Sequence, residues 1–160
     1  MRTAVVYFSL TGNTAWAAGR IAEALGAETL RLEPEKAYPV RGAAKFLLGG
    51  KSAVLGGTPP LRPFRFAAED FDRVIFGFPV WAGKLAPPLR SFLKAEGQAL
   101  RGKTFAAFAC QSGSGGEKAL RQLEEALGTE LQAKLILIDP GDRPSEENEA
   151  RIAAFCGACR

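Results

Sequence analysis

The chain reads as an α/β protein built in three layers, an open parallel sheet with helices on both faces. Three observations carry that reading. Short apolar runs alternate with helical patterns along the 160 residues. The central runs are apolar almost throughout, as strands covered on both sides should be. A polar, glycine-containing turn joins the first run to the first helical stretch, where sheets of this kind bind ligands.

The strands are expected at Thr3–Phe8, Glu28–Leu32, Arg73–Phe78, Thr104–Ala109 and Leu135–Ile138. Between the first two lies a helix, Ala15 to Leu25, with Ala18, Ile21, Ala22 and Leu25 on one face. Pro87 and Pro88 open the next helix, in a turn where a missing N–H costs little. Leu120, Leu123 and Leu127 form the stripe of a third, which ends at Gly128. Ser145 caps the last helix, with Glu146 and Glu147 at its positive end. Glu33 to Asp70 is too long for an ordinary connection. Ala43 to Leu55 in it reads as a helix interrupted by Gly49 and Gly50, and Gly56 to Pro63 as irregular chain. Trp16 lies opposite the apolar face of its helix; it either packs under this excursion or forms part of a partner surface beside the first loop, the former being the simpler reading.

Composition bounds the function. The length suits one domain over residues 1–160, and 47% hydrophobic residues give it a core. No apolar stretch approaches a membrane span, and no signal peptide is expected. Three cysteines fit a reducing, cytoplasmic setting. The absence of histidine excludes Ser-His-Asp and Cys-His catalysis and any zinc site that needs imidazole. No metal and no nucleic-acid partner is expected. Net charge is +4, yet Lys36 to Ala68 alone carries six bases and no acid, leaving −2 over the rest. That patch is either a steering surface for an anionic partner or a solvated loop face; both readings stand.

Ser9-Leu10-Thr11-Gly12-Asn13-Thr14 is the most informative segment. Its hydroxyls, its amide and the free N–H groups of the following helix make an anion cradle. It holds no Lys or Arg, which suits one phosphate monoester better than a triphosphate. Two further loops follow strand ends. Pro79-Val80-Trp81-Ala82-Gly83-Lys84 brings a large aromatic; Cys110-Gln111-Ser112-Gly113-Ser114-Gly115-Gly116 brings glycines for close approach. Together they describe a site for a phosphorylated aromatic ligand, with Trp81 against a flat ring. Other signals carry less. Gly49-Gly50-Lys51-Ser52 lacks the earlier glycine and strand of a nucleotide loop. Cys156 and Cys159 have dithiol spacing but sit at a helix end, where a reactive thiolate is disfavoured. Cys110 reads as a small strand-end hydrophobe.

On these loops the chain resembles the flavodoxin-like family. The resemblance implies strand order 2-1-3-4-5 and one noncovalent FMN. Ser9, Thr11, Asn13 and Thr14 would hold its phosphate, within a loop completed by Leu10 and Gly12. Trp81, in the stretch Pro79, Val80, Trp81, Ala82, Gly83, would flank the isoalloxazine. Backbone near Ala82, Gly83 and Gln111, Ser112, Gly113, with Gly116 closing the third loop, would meet its polar edge. The chemistry would then belong to the cofactor. Lys84 and the basic balance (sequence pI about 9.1) imply a less reducing flavin than in an acidic relative. Two functions follow. The first is an electron carrier between redox partner proteins. The second is an NAD(P)H-dependent flavin or quinone reductase that passes electrons to a small-molecule acceptor. A third, a binding module without flavin, sits poorly with the intact hydroxyls of the first loop.

Overall fold

Apolar strands shielded on both faces need helices above and below them, and the chain supplies both layers. The computed structural model describes residues 1–39 and 56–160. Five strands, β1 (Thr3–Tyr7), β2 (Glu28–Arg31), β3 (Arg73–Pro79), β4 (Thr104–Gln111) and β5 (Lys134–Ile138), form one sheet in the order β2-β1-β3-β4-β5. All four pairings are parallel. The helices among the described residues are α1 (Asn13–Leu25), α2 (Pro87–Glu96), α3 (Gly116–Leu127) and α4 (Glu146–Ala158). The expected architecture and strand order are therefore present. The expected helix over Ala43–Leu55 lies outside the described residues, as do Gly49-Gly50-Lys51-Ser52 and the bases Arg41, Lys45 and Lys51.

Alternation along each strand builds two cores. On one face Val6, Val74, Phe76 and Phe78 pack with Leu89 and Phe92 of α2 and Leu120 and Leu123 of α3. On the other, Val5, Ile75 and Phe108 pack with Ile21 of α1 and Ile152 and Phe155 of α4. A Cβ on Gly77 would fall inside the ring of Phe108, so that ring lies directly over β3.

The returning half of the excursion crosses the first face. Phe64 and Phe66 lie against Phe92, with ring centroids 5.7 and 5.2 Å away. Among the described residues, the excursion packs on the α2/α3 side, whereas Trp16 packs against the α1/α4 core, with Arg20 over its ring at 5.1 Å. Helical periodicity gave the face of Trp16 opposite the sheet, but α4 and its leading loop reach round to cover it.

Caps follow the residues that make them. Ser145 Oγ accepts the Asn148 N–H at 3.1 Å. Gly128, at φ 69°, closes α3. Cys156 and Cys159 are buried at the far end of α4, and burial pushes both thiols upward. They are core residues. Among the described residues, no helix is long and apolar enough to cross a membrane.

Candidate functional site

Two helices begin at the carboxyl ends of β1 and β4, and they begin in the same way. The N-cap of α1 is Gly12 and that of α3 is Gly115, both at φ 101° and neither with a side-chain cap. A left-handed residue turns the chain sharply from strand to helix, and glycine adopts that conformation without strain. Because Gly12 is the cap, α1 starts at Asn13, two residues before the expected Ala15.

One donor at each helix start is met by a side chain from the preceding strand end. Ser9 Oγ accepts the Ala15 N–H at 3.1 Å. Gln111 Oε1 accepts the Gly116 N–H at 2.9 Å, while Gln111 Nε2 donates to Gly113 O at 3.0 Å. The first intrahelical bond of α1 runs from Trp16 N–H to Gly12 O. Asn13 and Thr14 thus present N–H groups with no acceptor inside the helix.

These ends open onto a shallow, open pocket with about 210 Å³ of interior space. Leu10, Thr11, Asn13 and Thr14 line it from the first loop, and Pro79, Val80, Trp81 and Ala82 from the second. Gln111, Ser112 and Gly113 line it from the third. Trp81 is half-buried, with its ring edge-on to Phe8 at 5.5 Å and Tyr38 at 5.1 Å. That packing holds a flat wall upright. The turn carrying it is tight: Lys84 N–H donates to Trp81 O at 2.9 Å, with Ala82 at φ 52° and Gly83 at φ 66° between them. Two successive left-handed residues make a mirror-image turn, and Ala82 adopts it at a cost in strain.

Four of the expected residues stand behind the wall instead of in it. Ser9 and Gly12 shape the first loop. Gly83 backs onto Gly115 so closely that a Cβ on Gly115 would lie 2.7 Å from Gly83 Cα. Gly116 receives Gln111, whose Oε1 would be 2.7 Å from an added Cβ. Asn13 has a divided role. Its Oδ1 accepts N–H groups of Gly141 and Asp142 at 2.9 and 3.0 Å, and its Nδ2 donates to the Asp142 carboxylate at 3.1 Å. Its amide therefore ties the β5–α4 loop to the first loop, and its backbone N–H is what remains for the pocket.

Cys110 and Ser114 of the third loop also line the pocket, without having been given a role, and Asp139 lies outside all three expected loops. Asp139 follows β5 at φ 40° and accepts the Ser112 hydroxyl on Oδ1 at 2.6 Å. Its signal was available in Asp139-Pro140-Gly141, a turn at the carboxyl end of a fourth strand. Lys84 does not line the pocket; among the described residues, the only charged lining residue is this acid. Cys110 is 5% exposed, and burial, with Asp139 nearby, pushes its thiol up to about 12 against a hydrogen bond with Thr14. It is a neutral, apolar part of the wall.

Comparison with known proteins agrees with this geometry. No curated protein matches the chain by sequence. Among solved structures, a flavoprotein from Lactobacillus acidophilus NCFM in complex with FMN superposes with a TM-score of 0.73 at 18% identity, over 88% of this chain and 95% of that one. A flavoprotein from Bacteroides uniformis gives 0.74 at 24% identity, over 96% and 97%. A Streptococcus pneumonia flavodoxin gives 0.61 at 18% identity, over 99% and 97%. These likenesses show a flavodoxin-like fold. At the family level, residues 1–138 match the family described as NADPH-dependent FMN reductase, and the chain belongs to that family.

Proposed function

We propose that residues 1–160 act as one FMN-binding domain that takes electrons from NADPH and passes them to a small-molecule acceptor such as a flavin or quinone. The observation that carries this reading is the pocket at the α1 N-terminus. It joins unpaired helix N–H groups, a flat aromatic wall and a glycine-rich third loop, with an acid but no base among its described lining residues. Such a donor set suits one phosphate and one planar ring. Among the described lining residues, a polyphosphate would meet Asp139 and no compensating cation.

The residues present fit FMN. The N–H groups of Asn13 and Thr14, with the hydroxyls of Thr11 and Thr14, would hold the phosphate at the positive end of α1. Trp81 would cover one face of the ring system. Backbone at Ala82 and at Gln111 to Gly113 would meet its polar edge. When bound, FMN would supply two-electron redox chemistry between a dihydronicotinamide and the acceptor. The protein's part is to fix that ring, exclude water from its inner face, and set the local charge through Asp139. Ser9 Oγ satisfies the Ala15 N–H and Gln111 Oε1 the Gly116 N–H, which holds both loops in one arrangement while the N–H groups of Asn13 and Thr14 stay free for the ligand. A reducing compartment such as the cytoplasm is in keeping with three free thiols.

The test is direct. The protein is reconstituted with FMN, its visible spectrum recorded, and NADPH added without oxygen. Bleaching within seconds by NADPH alone supports the reductase. Bleaching only through an added reductase would make the protein an electron carrier. Failure to take up FMN would end both readings.

A further inference from the structure

A second groove lies beside the flavin pocket, and Leu10 is a wall of both. The Phe8–Trp81 contact bridges the two, since Phe8 lines the groove and Trp81 lines the pocket. Arg31 and Arg62 also line the groove, together with Tyr38 and Glu33. Neither arginine is among the residues that line the pocket.

Both sit on a built frame. Arg31 ends β2, and its Nη2 donates to Ser9 O at 3.3 Å, which sets its guanidinium at the base of the first loop. Arg62 lies on the returning excursion, locked to the segment after β2. Its own N–H donates to Glu33 O at 2.7 Å, and the Glu35 N–H to Pro60 O at 2.9 Å, around an antiparallel bridge of Pro34 with Leu61. The side-chain pair of Arg62 with Glu33 is loose, at 3.8 Å and with both side chains more than half exposed. A pair of that kind contributes little. A phosphate dianion offers Arg62 a better partner, because a guanidinium fork donates two parallel bonds to it.

We propose that this groove receives the 2′-phosphate of NADPH, with Arg62 as its principal partner and Arg31 in support. The inference rests on the reductase reading and sharpens it. It makes the protein prefer NADPH over NADH through two arginines outside the flavin site. It also gives a function to part of the basic excursion, in which Arg62 is one of the six bases.

The test separates this idea from the reading beneath it. Binding of 2′,5′-ADP and of 5′-AMP is measured by calorimetry on FMN-loaded protein, for the native chain, Arg62→Ala and Arg62→Glu. The native chain should bind 2′,5′-ADP the more tightly, by about tenfold or more, as one added charge-assisted pair implies. Arg62→Ala should remove most of that preference and Arg62→Glu all of it, with FMN affinity unchanged. In anaerobic bleaching, Arg62→Ala should slow NADPH and leave NADH as it was. Equal binding of the two nucleotides by the native chain overturns the proposal, as does an Arg62→Glu variant that binds 2′,5′-ADP normally. An Arg62-dependent preference for 2′,5′-ADP upholds the groove even where NADPH fails to bleach the flavin; that result sinks only the reductase reading.

Discussion

Gly115→Ala tests whether the gap between the second and third loops is set by backbone contact. The added Cβ would stand 2.7 Å from Gly83 Cα, 3.2 Å from Gly83 N and 3.3 Å from Val80 Cγ1. Ordinary contact begins near 3.4 Å, so the loops must part by about 0.7 Å. Neither partner is the yielding end of a long side chain. Overpacking of this sort costs roughly 1–3 kcal/mol. The left-handed backbone at φ 101° adds about 1–2 kcal/mol for any residue with a Cβ. Gly102→Ala serves as control. It also has a positive φ, at 81°, but open space around it, and so reports strain alone. Urea unfolding should show Gly115→Ala as the less stable variant by about 1–3 kcal/mol. FMN titration, read by quenching of flavin fluorescence, should show affinity lowered about tenfold or more in Gly115→Ala and unchanged in Gly102→Ala. A folded Gly115→Ala protein that binds FMN within twofold of the native value would refute the argument. The loops would then be free to adjust, and the close approach would be incidental.

Other consequences are as concrete. Trp81→Ala removes a wall braced by Phe8 and Tyr38. FMN affinity should fall about tenfold, from an aromatic contribution of ~1 kcal/mol plus lost burial, and a change under twofold in the same titration tells against stacking. Ser9→Ala strips the acceptor from the Ala15 N–H. It should lower unfolding stability by about 1 kcal/mol and weaken FMN severalfold, although Ser9 does not line the pocket; equal urea midpoints would contradict that. Asp139→Asn takes the negative charge out of the wall and should raise the two-electron midpoint potential, by roughly 30 mV for each 1.4 kcal/mol of lost repulsion. A potentiometric titration that finds it unchanged or lower places Asp139 away from the ring. The Cys110 thiol is pushed up to about 12 by burial, so the native state keeps a proton that the unfolded chain releases near 9. Its contribution to stability is complete below pH 9 and is lost as pH rises toward 12. Cys110→Ser should flatten that decline in urea midpoints measured at about pH 8 and about pH 10.5, and a native slope equal to the variant's would sink the assignment.

What the sequence disclosed, and what it hid, follows from how each feature is encoded. The strands and their flanking helices were legible because burial on both faces writes itself as unbroken apolar runs such as Val74-Ile75-Phe76. The three loops were legible because turns at strand ends need glycine and ligands need polar groups close by. The packing of Trp16 against the α1/α4 core was not legible, because periodicity fixes a helix face but not which later element comes to meet it. Asp139 escaped for a related reason. A single acid before Pro140 looks like any turn, and only the sheet order brings the end of β5 alongside β4, where Ser112 meets it. Lys84 is the converse. It lies three residues from Trp81 in sequence, yet the mirror-image turn at Ala82 and Gly83 takes it off the pocket wall.

The reversal of charge at the wall bears on what tunes the site. A basic chain suggested a cationic flavin environment, but net charge is a property of the whole surface, screened beyond about 10 Å in ordinary salt. Among the described residues, the charge in the wall is that of Asp139. The described bases of the excursion, Arg62 among them, face the neighbouring groove or solvent. Two electrostatic tasks are therefore kept apart by Leu10 and the Phe8–Trp81 contact. On the proposed reading, an acid and helix N–H groups on one side would set the phosphate count and potential of the cofactor. On the other, arginines stand ready for an anionic substrate. A base moved into the pocket would blur that separation. Ser112→Lys places one beside Asp139. The expected result is a raised midpoint potential together with weaker discrimination between FMN and inorganic phosphate, measured by competition. An unaltered potential would show that the wall charge does not reach the ring.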